Sequence, residues 1–131
     1  MGSAREFEIG LDKLLKGQVE GKIVEATKLL AMEALQRVVM KSPVDTGRFR
    51  GNWRVAIGSP ASTPISRIDK GGGTTIGVGS SVIGRMNEPR VVYVTNNLPY
   101  AVRLEEGWSA QAPAGIVAVT IAELQAFFSK L

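Results

Sequence analysis

The feature that most constrains this chain is a long segment, residues 18–41, that contains no proline and only one glycine, Gly21. Ala, Leu, Glu, Lys and Met dominate it, and all of them are good helix formers. Apolar residues recur in it every three or four positions, the spacing of one helix face: Val19, Ile23, Ala26, Leu30, Ala34 and Val38. Because Pro43 disfavours helical geometry in the residue before it, the helix must end near Ser42.

This helix is apolar over most of its circumference between Leu29 and Met40. A helix on the surface of a monomer needs an apolar stripe on one side only. Either the domain wraps the helix completely, or one flank packs on the domain and the other on a neighbouring subunit. We favour the subunit contact, since so short a chain has little material to enclose a helix, and we name Leu29 and Met32 as interface candidates.

A turn is predicted directly after the helix, at residues 44–47. Asp45 can accept hydrogen bonds from backbone groups two residues further on, and Gly47 can adopt a positive φ. We expect an architectural role for the residues of this turn, Pro43, Asp45, Thr46 and Gly47.

The residues after the turn alternate as on a strand with one buried face. The apolar positions are Phe49, Trp53, Val55 and Ile57. The opposite face would carry Arg48, Arg50, Asn52 and Arg54. Three arginines on one sheet face would form a basic surface, which is either solvated or in contact with acidic protein or phosphate.

Residues 58–73 contain two prolines and three consecutive glycines, so they cannot hold regular structure throughout. Unstructured loops of this length are uncommon in compact domains unless they are functional or disordered. We predict a flexible loop that becomes ordered by reaching a neighbour.

Residues 74–130 predict four further elements, and two of them leave open a choice between helix and strand. Residues 74–86 fit a helix face, although their glycines weaken a helix and leave a strand over 74–78 as the competing interpretation. Residues 91–95 are β-branched or aromatic and predict a strand. Residues 100–106 predict one or two helical turns closed by Gly107, and residues 114–130 predict either a strand that enters a helix or a helix over 119–128.

The composition removes most enzyme chemistry. The chain has no cysteine and no histidine, so thiolate metal sites and the commonest general base are absent. The glycine-rich stretch 71–79 lacks the lysine of a phosphate-binding loop. Glu105 and Glu106 are adjacent and would point in different directions on a helix. We therefore expect no enzyme, no cofactor, no metal and no small-molecule substrate.

The charge of +4 is unevenly distributed. Ten basic and three acidic residues give residues 37–103 a net charge of +7, whereas residues 1–36 carry −1 and residues 104–131 carry −2. This pattern suits oriented contact with other copies or with an acidic partner, and it also suits DNA. No stretch is long and apolar enough for a membrane span, and no signal peptide is expected.

Two segments resemble one known family. Ser42-Pro-Val-Asp-Thr-Gly-Arg48 resembles the signature (A/S)PVDTG-(R/A)-(L/F)-R of the minor tail-component and neck proteins of long-tailed phages. Val92-Tyr-Val-Thr-Asn-Asn-Leu-Pro-Tyr-Ala-Val-Arg-Leu-Glu-Glu-Gly-Trp-Ser109 resembles the same family's Y-I-x-N-x-x-P-Y-A-x-x-L-E-x-G-x-S motif, and residues 111–115 also fit. The order and spacing match over about residues 5–130.

The resemblance implies an α+β fold in which the long helix packs on a small antiparallel sheet, with short helices and a C-terminal helix, all in one domain over residues 1–131. It implies a subunit of the virion neck or tail end, assembled as a ring in the host cytoplasm, whose partners are its own copies and other neck, connector or tail proteins. Tyr100, Leu104 and Trp108 would place the second motif on the core, and for Trp108 a buried position and an interface contact are both expected. The further interface candidates are Arg48, Arg50, Arg54, Tyr100, Leu104, Glu105 and Trp108. Glu105 or Glu106 would meet Arg48, Arg50 or Arg54 of the same or the next subunit.

A nucleic-acid-binding module that uses the Arg48, Arg50 and Arg54 face is the alternative function. Binding of single-stranded nucleic acid would need aromatic residues among these arginines. Phe49 and Trp53 are expected on the opposite face of the strand, which argues against this function. In a neck ring the arginines could still line a DNA channel, so non-specific contact with packaged DNA is compatible with both functions.

Overall fold

The computed structural model describes residues 6–9 and 20–130 and has the expected α+β architecture. Its three strands are β1 (Glu6–Ile9), β2 (Trp53–Ile57) and β3 (Val92–Asn96). Its helices are α1 (Glu20–Lys41), α2 (Gly73–Gly84), α3 (Ala101–Glu105) and α4 (Val117–Phe128). A short 3-10 turn, Arg50–Asn52, precedes β2. None of the described helices has the length and apolar character needed to cross a bilayer.

The sheet is antiparallel and has the order β1-β3-β2. Val92 and Val94 of the central strand are completely buried, and Val94 pairs with Val55 of β2. Alternate residues of a strand point to opposite faces. The apolar face formed in this way packs against α1 and completes the core with Trp53 and Leu98.

Helix α1 confirms the prediction for residues 20–41; Val19 lies outside the described residues. Its buried face is formed by Ala31, Ala34, Leu35, Val38 and Val39, all without exposed surface. Helices α2 and α4 both pack against α1. The chain therefore encloses more of α1 than expected, yet the side chains of Leu29 and Met40 remain 43% and 55% exposed.

Strand β2 begins at Trp53 and not at Phe49, so the prediction of a strand across residues 49–57 was wrong in its first half. The 3-10 turn forms because the Asn52 side chain donates to the carbonyl of Arg48 (2.7 Å) and accepts from the N–H of Ile65 (2.8 Å). A turn has no alternation of faces. Only the residues from Trp53 onward follow the two-residue period.

Helix α2 decides between the two interpretations of the glycine-rich segment, and the strand over 74–78 was wrong. Asp69 accepts hydrogen bonds from the N–H groups of Gly72 and Thr75 and from the Thr75 hydroxyl, which satisfies two of the free backbone donors at the start of the helix. Burial alone would raise the pKa of Asp69, but these bonds and the nearby Arg67 lower it. Residues 117–128 are likewise helical, so a strand beginning at residue 114 was also wrong.

Residues 58–72 contain no helix or strand, as expected, but they bond to the domain along their length. The Ala61 carbonyl accepts from the Asn97 amide (2.9 Å), and the Thr63 carbonyl accepts from Arg54 (3.0 Å). Further along, the Asp69 N–H donates to Gly47 (3.0 Å). The mobility of this loop stays a prediction, and these bonds would restrain it.

Helix α4 is held on α1 by charge as well as by apolar contact. Glu123 pairs with Lys41 and with Arg37, both at 2.9 Å. Hydrogen bonds from Lys41 and then from Arg37 lower the pKa of Glu123. The hydrogen bonds of Arg37 to Glu123 and then to Glu33 raise the pKa of Arg37, whose guanidinium lies 5.6 Å from the centre of the Phe127 ring.

The close approach of α2 to the core gives a first prediction. A Cβ at Gly79 would collide with Leu35 Cδ2 and lie 2.9 Å from Val55 Cγ2, whereas a Cβ at Gly77 would meet nothing within 4 Å. Gly79→Ala should lower the free energy of unfolding by about 1–3 kcal/mol through overpacking. Gly77→Ala, the matched control in the same helix, should raise it by about 0.5–1 kcal/mol. Urea denaturation measures both, and equal effects would contradict this packing.

The ion pairs of Glu123 give a second prediction, on pH. Because its pKa is lower in the folded chain than its ordinary value of 4.5, its contribution is present above that value and is lost as pH falls through the lowered pKa. Between about pH 7 and about pH 3 the wild type should therefore lose more unfolding free energy than Glu123→Gln, by up to about 1 kcal/mol. Glu106→Gln is the control at an exposed site, and identical pH profiles for wild type and Glu123→Gln would contradict the assignment.

Candidate assembly surface

The two motif segments of the sequence meet in one open cleft of about 280 Å³, here called the motif cleft. Seven of the residues singled out from the sequence line it: Pro43, Asp45, Thr46, Gly47, Arg48, Tyr100 and Leu104. Val44, Phe49, Ser109 and Gln111 complete its walls. The residues were predicted separately, from two motifs about fifty positions apart, and the fold brings them together.

The first wall is the turn after α1, and its central residue is Gly47 with a φ of +96°. A Cβ at this position would lie 2.7 Å from the backbone nitrogen of Lys70. The Gly47 carbonyl accepts hydrogen bonds from Gly51 and Asp69 (2.9 and 3.0 Å). The predicted turn is therefore confirmed at Gly47, where the loop over residues 58–72 packs against it.

Asp45 does not play the role that the sequence predicted for it. Thr46 accepts the local hydrogen bond instead, from the N–H of Arg48 (3.2 Å). Asp45 is exposed and, within residues 20–130, its carboxylate has no hydrogen-bond partner. Its carboxylate is therefore available at the rim of the motif cleft.

Gln111 joins the two walls. Its side-chain amide accepts from the N–H of Val44 (2.9 Å) and donates to the carbonyl of the same residue (3.1 Å). This pairing imitates a strand ladder. Sequence reasoning noted residues 111–115 only as part of the resemblance and missed this role, because the partner is 67 residues away.

The second wall places Tyr100 and Leu104 half-buried against the core, as predicted. The Tyr100 ring lies 6.2 Å from that of Phe49. Trp108 does not pack on the core, since it is 70% exposed; of the two roles expected for it burial is wrong, and the interface contact stays a prediction. The guanidinium of Arg103 lies 5.2 Å from the centre of the Trp108 indole, a cation–π contact that no pattern in the sequence signalled.

Glu105 has an internal role instead of meeting an arginine of its own subunit. Its carboxylate accepts hydrogen bonds from the N–H groups of Ile116 (2.8 Å), Val117 (2.7 Å) and Ala118 (2.9 Å). These are the free donors at the start of α4, where a negative charge is favoured by the helix dipole. Glu105 thus connects α3 to α4, and Glu106 is the exposed carboxylate of the pair.

The three arginines do not share a sheet face, because β2 starts after two of them. Arg50 donates to the carbonyls of Met40 (3.2 Å), Ser42 (3.0 Å) and Lys70 (2.8 Å), so it caps the end of α1. Arg54 lies on β2 and bonds to the loop. Arg48 is exposed at the motif cleft. The basic face proposed for nucleic acid is therefore not formed.

The motif cleft offers surface for contact. In the described ranges, no three Asp, Glu, His or Cys side chains are grouped as a metal site would require. The charged side chains lining the cleft are Asp45 and Arg48, next to the aromatic and aliphatic surface of Tyr100 and Leu104. Such a mixture of apolar and charged groups is typical of a docking surface for protein.

A family model described as "Bacteriophage HK97-gp10, putative tail-component" matches residues 5–107. The chain belongs to this family. Neither a curated protein nor a solved structure matches it. Membership confirms the resemblance seen in the two motifs and makes the chain a component of a bacteriophage tail, hence of the virion.

The family match ends at Gly107, which closes α3 with a φ of +88°. Helix α4 and Gln111 lie beyond it. Glu105 is therefore a residue of the tail-component region that holds the start of a helix outside that region. This arrangement gives α4 a fixed position on α1 through one carboxylate and the ion pairs of Glu123.

The role of Glu105 gives a third prediction. Glu105→Ala leaves the first N–H groups of α4 without an acceptor and should lower the free energy of unfolding by about 1–2 kcal/mol. Glu106→Ala, its exposed neighbour, should change it by less than about 0.5 kcal/mol. Hydrogen exchange of the amides of Ile116, Val117 and Ala118 reports the loss directly. Unchanged protection of these amides in Glu105→Ala would contradict the assignment.

Proposed function

We propose that this tail component is a structural subunit of the head–tail neck or the completed tail end, and that it assembles as a ring through contacts between its own copies. It has no catalytic role in this proposal. The motif cleft carries the proposal, because the two segments that define the resemblance to tail and neck proteins form a single surface there.

The exposed indole of Trp108 supports a protein contact beside this cleft. It follows α3, and together with Arg103 and the partly exposed Val102 it presents an aromatic, a cationic and an aliphatic group on one short segment. Tryptophan and arginine are the residues most often found at the energetic centre of interfaces. Ser109, the next residue, lines the motif cleft, so the two surfaces are continuous.

The outer face of α1 supports a second contact. Leu29, Met32, Gln36 and Met40 are spaced by three or four residues and therefore form one line along the helix. Leu29 and Met40 are exposed, and Met32 is partly buried against the core. A ring needs two different surfaces on each subunit, so that one subunit contacts the next in a head-to-tail manner.

A subunit of the neck or the tail end would have two kinds of partner: copies of the chain itself, and the neighbouring connector, neck or tail proteins. Its assembly would take place in the host cytoplasm. Arg48 at the motif cleft could also meet packaged DNA without reading its sequence. The alternative of a dedicated nucleic-acid module loses its main support, because Arg50 bonds to three carbonyls within the domain.

The exposed tryptophan gives the fourth prediction. Trp108→Ala should leave the free energy of unfolding nearly unchanged, because the side chain is mostly solvated, but it should weaken self-association at least about tenfold. Sedimentation velocity measures the association, and incorporation into phage tails in an extract lacking the wild-type protein measures function.

Ile121→Ala is the matched control, since Ile121 is another exposed apolar residue, on α4. It should leave both association and incorporation unchanged. A wild-type chain that stays monomeric and never enters virions would contradict the proposed function, whereas full assembly of Trp108→Ala would remove this residue from the contact.

A further inference from the structure

Strand β2 lies at one edge of the sheet, and its outward backbone groups can be identified. Gly58, directly after β2, donates its N–H to Val91 (2.9 Å), toward the sheet. Alternate residues of a strand direct their backbone groups to the same side. The N–H and C=O groups of Val55 and Ile57 therefore point away from β3, and within residues 20–130 they have no hydrogen-bond partner.

A groove of about 220 Å³ follows this edge, between β2, the loop and α2. Its apolar walls include Val55, Ile65 and Val82, with Val78 of α2 46% exposed beside them. An unpaired strand next to an apolar groove is the arrangement by which proteins accept an additional strand.

The groove is basic. Arg54 and Arg67 line it. None of the described residues that line the groove is acidic. A strand with negative charge would therefore be favoured over a neutral or basic one.

Strand β1 forms the opposite edge of the same sheet and has the complementary sequence, Glu6-Phe-Glu-Ile9. It pairs with β3, and no described residue pairs with its other side. Both β1 and β2 are antiparallel to β3, so they are parallel to each other. If a second copy lies beside the first with its strands running in the same directions, its acidic β1 lies parallel to the basic β2 of the first copy.

We propose that ring subunits join edge to edge, with β1 of one copy pairing in parallel with β2 of the next to form a continuous sheet. The inference rests on the proposed ring and adds a backbone contact between neighbouring subunits to the side-chain surfaces proposed above. The two edges differ in charge, so the contact is head-to-tail and excludes pairing of two identical edges. Backbone hydrogen bonds supply affinity, and the charges select the partner edge.

The test uses two charge-reversed chains. One carries Arg54→Glu and Arg67→Glu, so both of its edges are acidic; the other carries Glu6→Arg and Glu8→Arg, so both are basic. Each alone should associate at least about tenfold more weakly than the wild type in sedimentation velocity. Mixed in equal amounts, they should recover association to within about threefold, because each edge then finds its complement.

A reversal of two exposed charges elsewhere, Arg85→Glu with Lys130→Glu, is the matched control and should associate like the wild type. Circular dichroism confirms that each chain is folded, and recovery on mixing cannot come from a chain that is unfolded. The strand pairing alone would be overturned if each variant by itself associated as strongly as the wild type. It would also be overturned if mixing the two weakened variants did not restore association. A wild type that never associates overturns the ring together with it.

Discussion

The end of α1 is tied to the sheet by a hydrogen bond from the indole N–H of Trp53 to the hydroxyl of Ser42 (2.6 Å), and the rest of the fold depends on this junction. The Ser42 hydroxyl in turn donates to the carbonyl of Val38 (2.6 Å), one turn back in the helix. Both residues are almost completely buried, where an unsatisfied polar group would be costly. Arg50 completes the junction by donating to the carbonyl of Met40, in the last turn of the helix, and to that of Ser42, directly after it. The motif cleft exists because this junction holds the turn after α1 at a fixed angle to the sheet.

Elements specified by consecutive residues could be predicted from the sequence, and elements that depend on contacts distant in sequence could not. Helix α1, strand β3 and the turn closed by Gly107 were predictable, because their signals lie in consecutive residues: helical spacing, β-branched side chains, and a glycine after a short helix. The first half of the predicted strand failed because Asn52 bonds to a loop thirteen residues away. Alternation of apolar residues cannot reveal such a contact.

At the candidate site, too, some residues could be predicted from the sequence and others could not. The motif residues at the cleft were found because the resemblance gives their order and spacing, but the functions of Arg50 and Glu105 were not. Each bonds to backbone groups 8 to 20 residues away, and backbone groups leave no trace in a sequence. Glycine-rich α2 shows a different limit: its poor intrinsic propensity is overcome by Asp69 at its start and by close packing at Gly79. In both cases tertiary contacts outweigh local preference.

The chemistry of these attachments has a consequence for how the subunit comes apart. The junction of α1 with the sheet uses an indole, a hydroxyl and a guanidinium on carbonyls, and it contains no carboxylate that acid could protonate. Helix α4 is instead fastened to α1 by the carboxylate of Glu123, whose pKa is held below its ordinary value by Lys41 and Arg37. As pH falls through that lowered pKa, this fastening is lost while the bonds of the helix-to-sheet junction persist. Acid thus weakens the attachment of a helix that lies beyond the end of the family match, at Gly107.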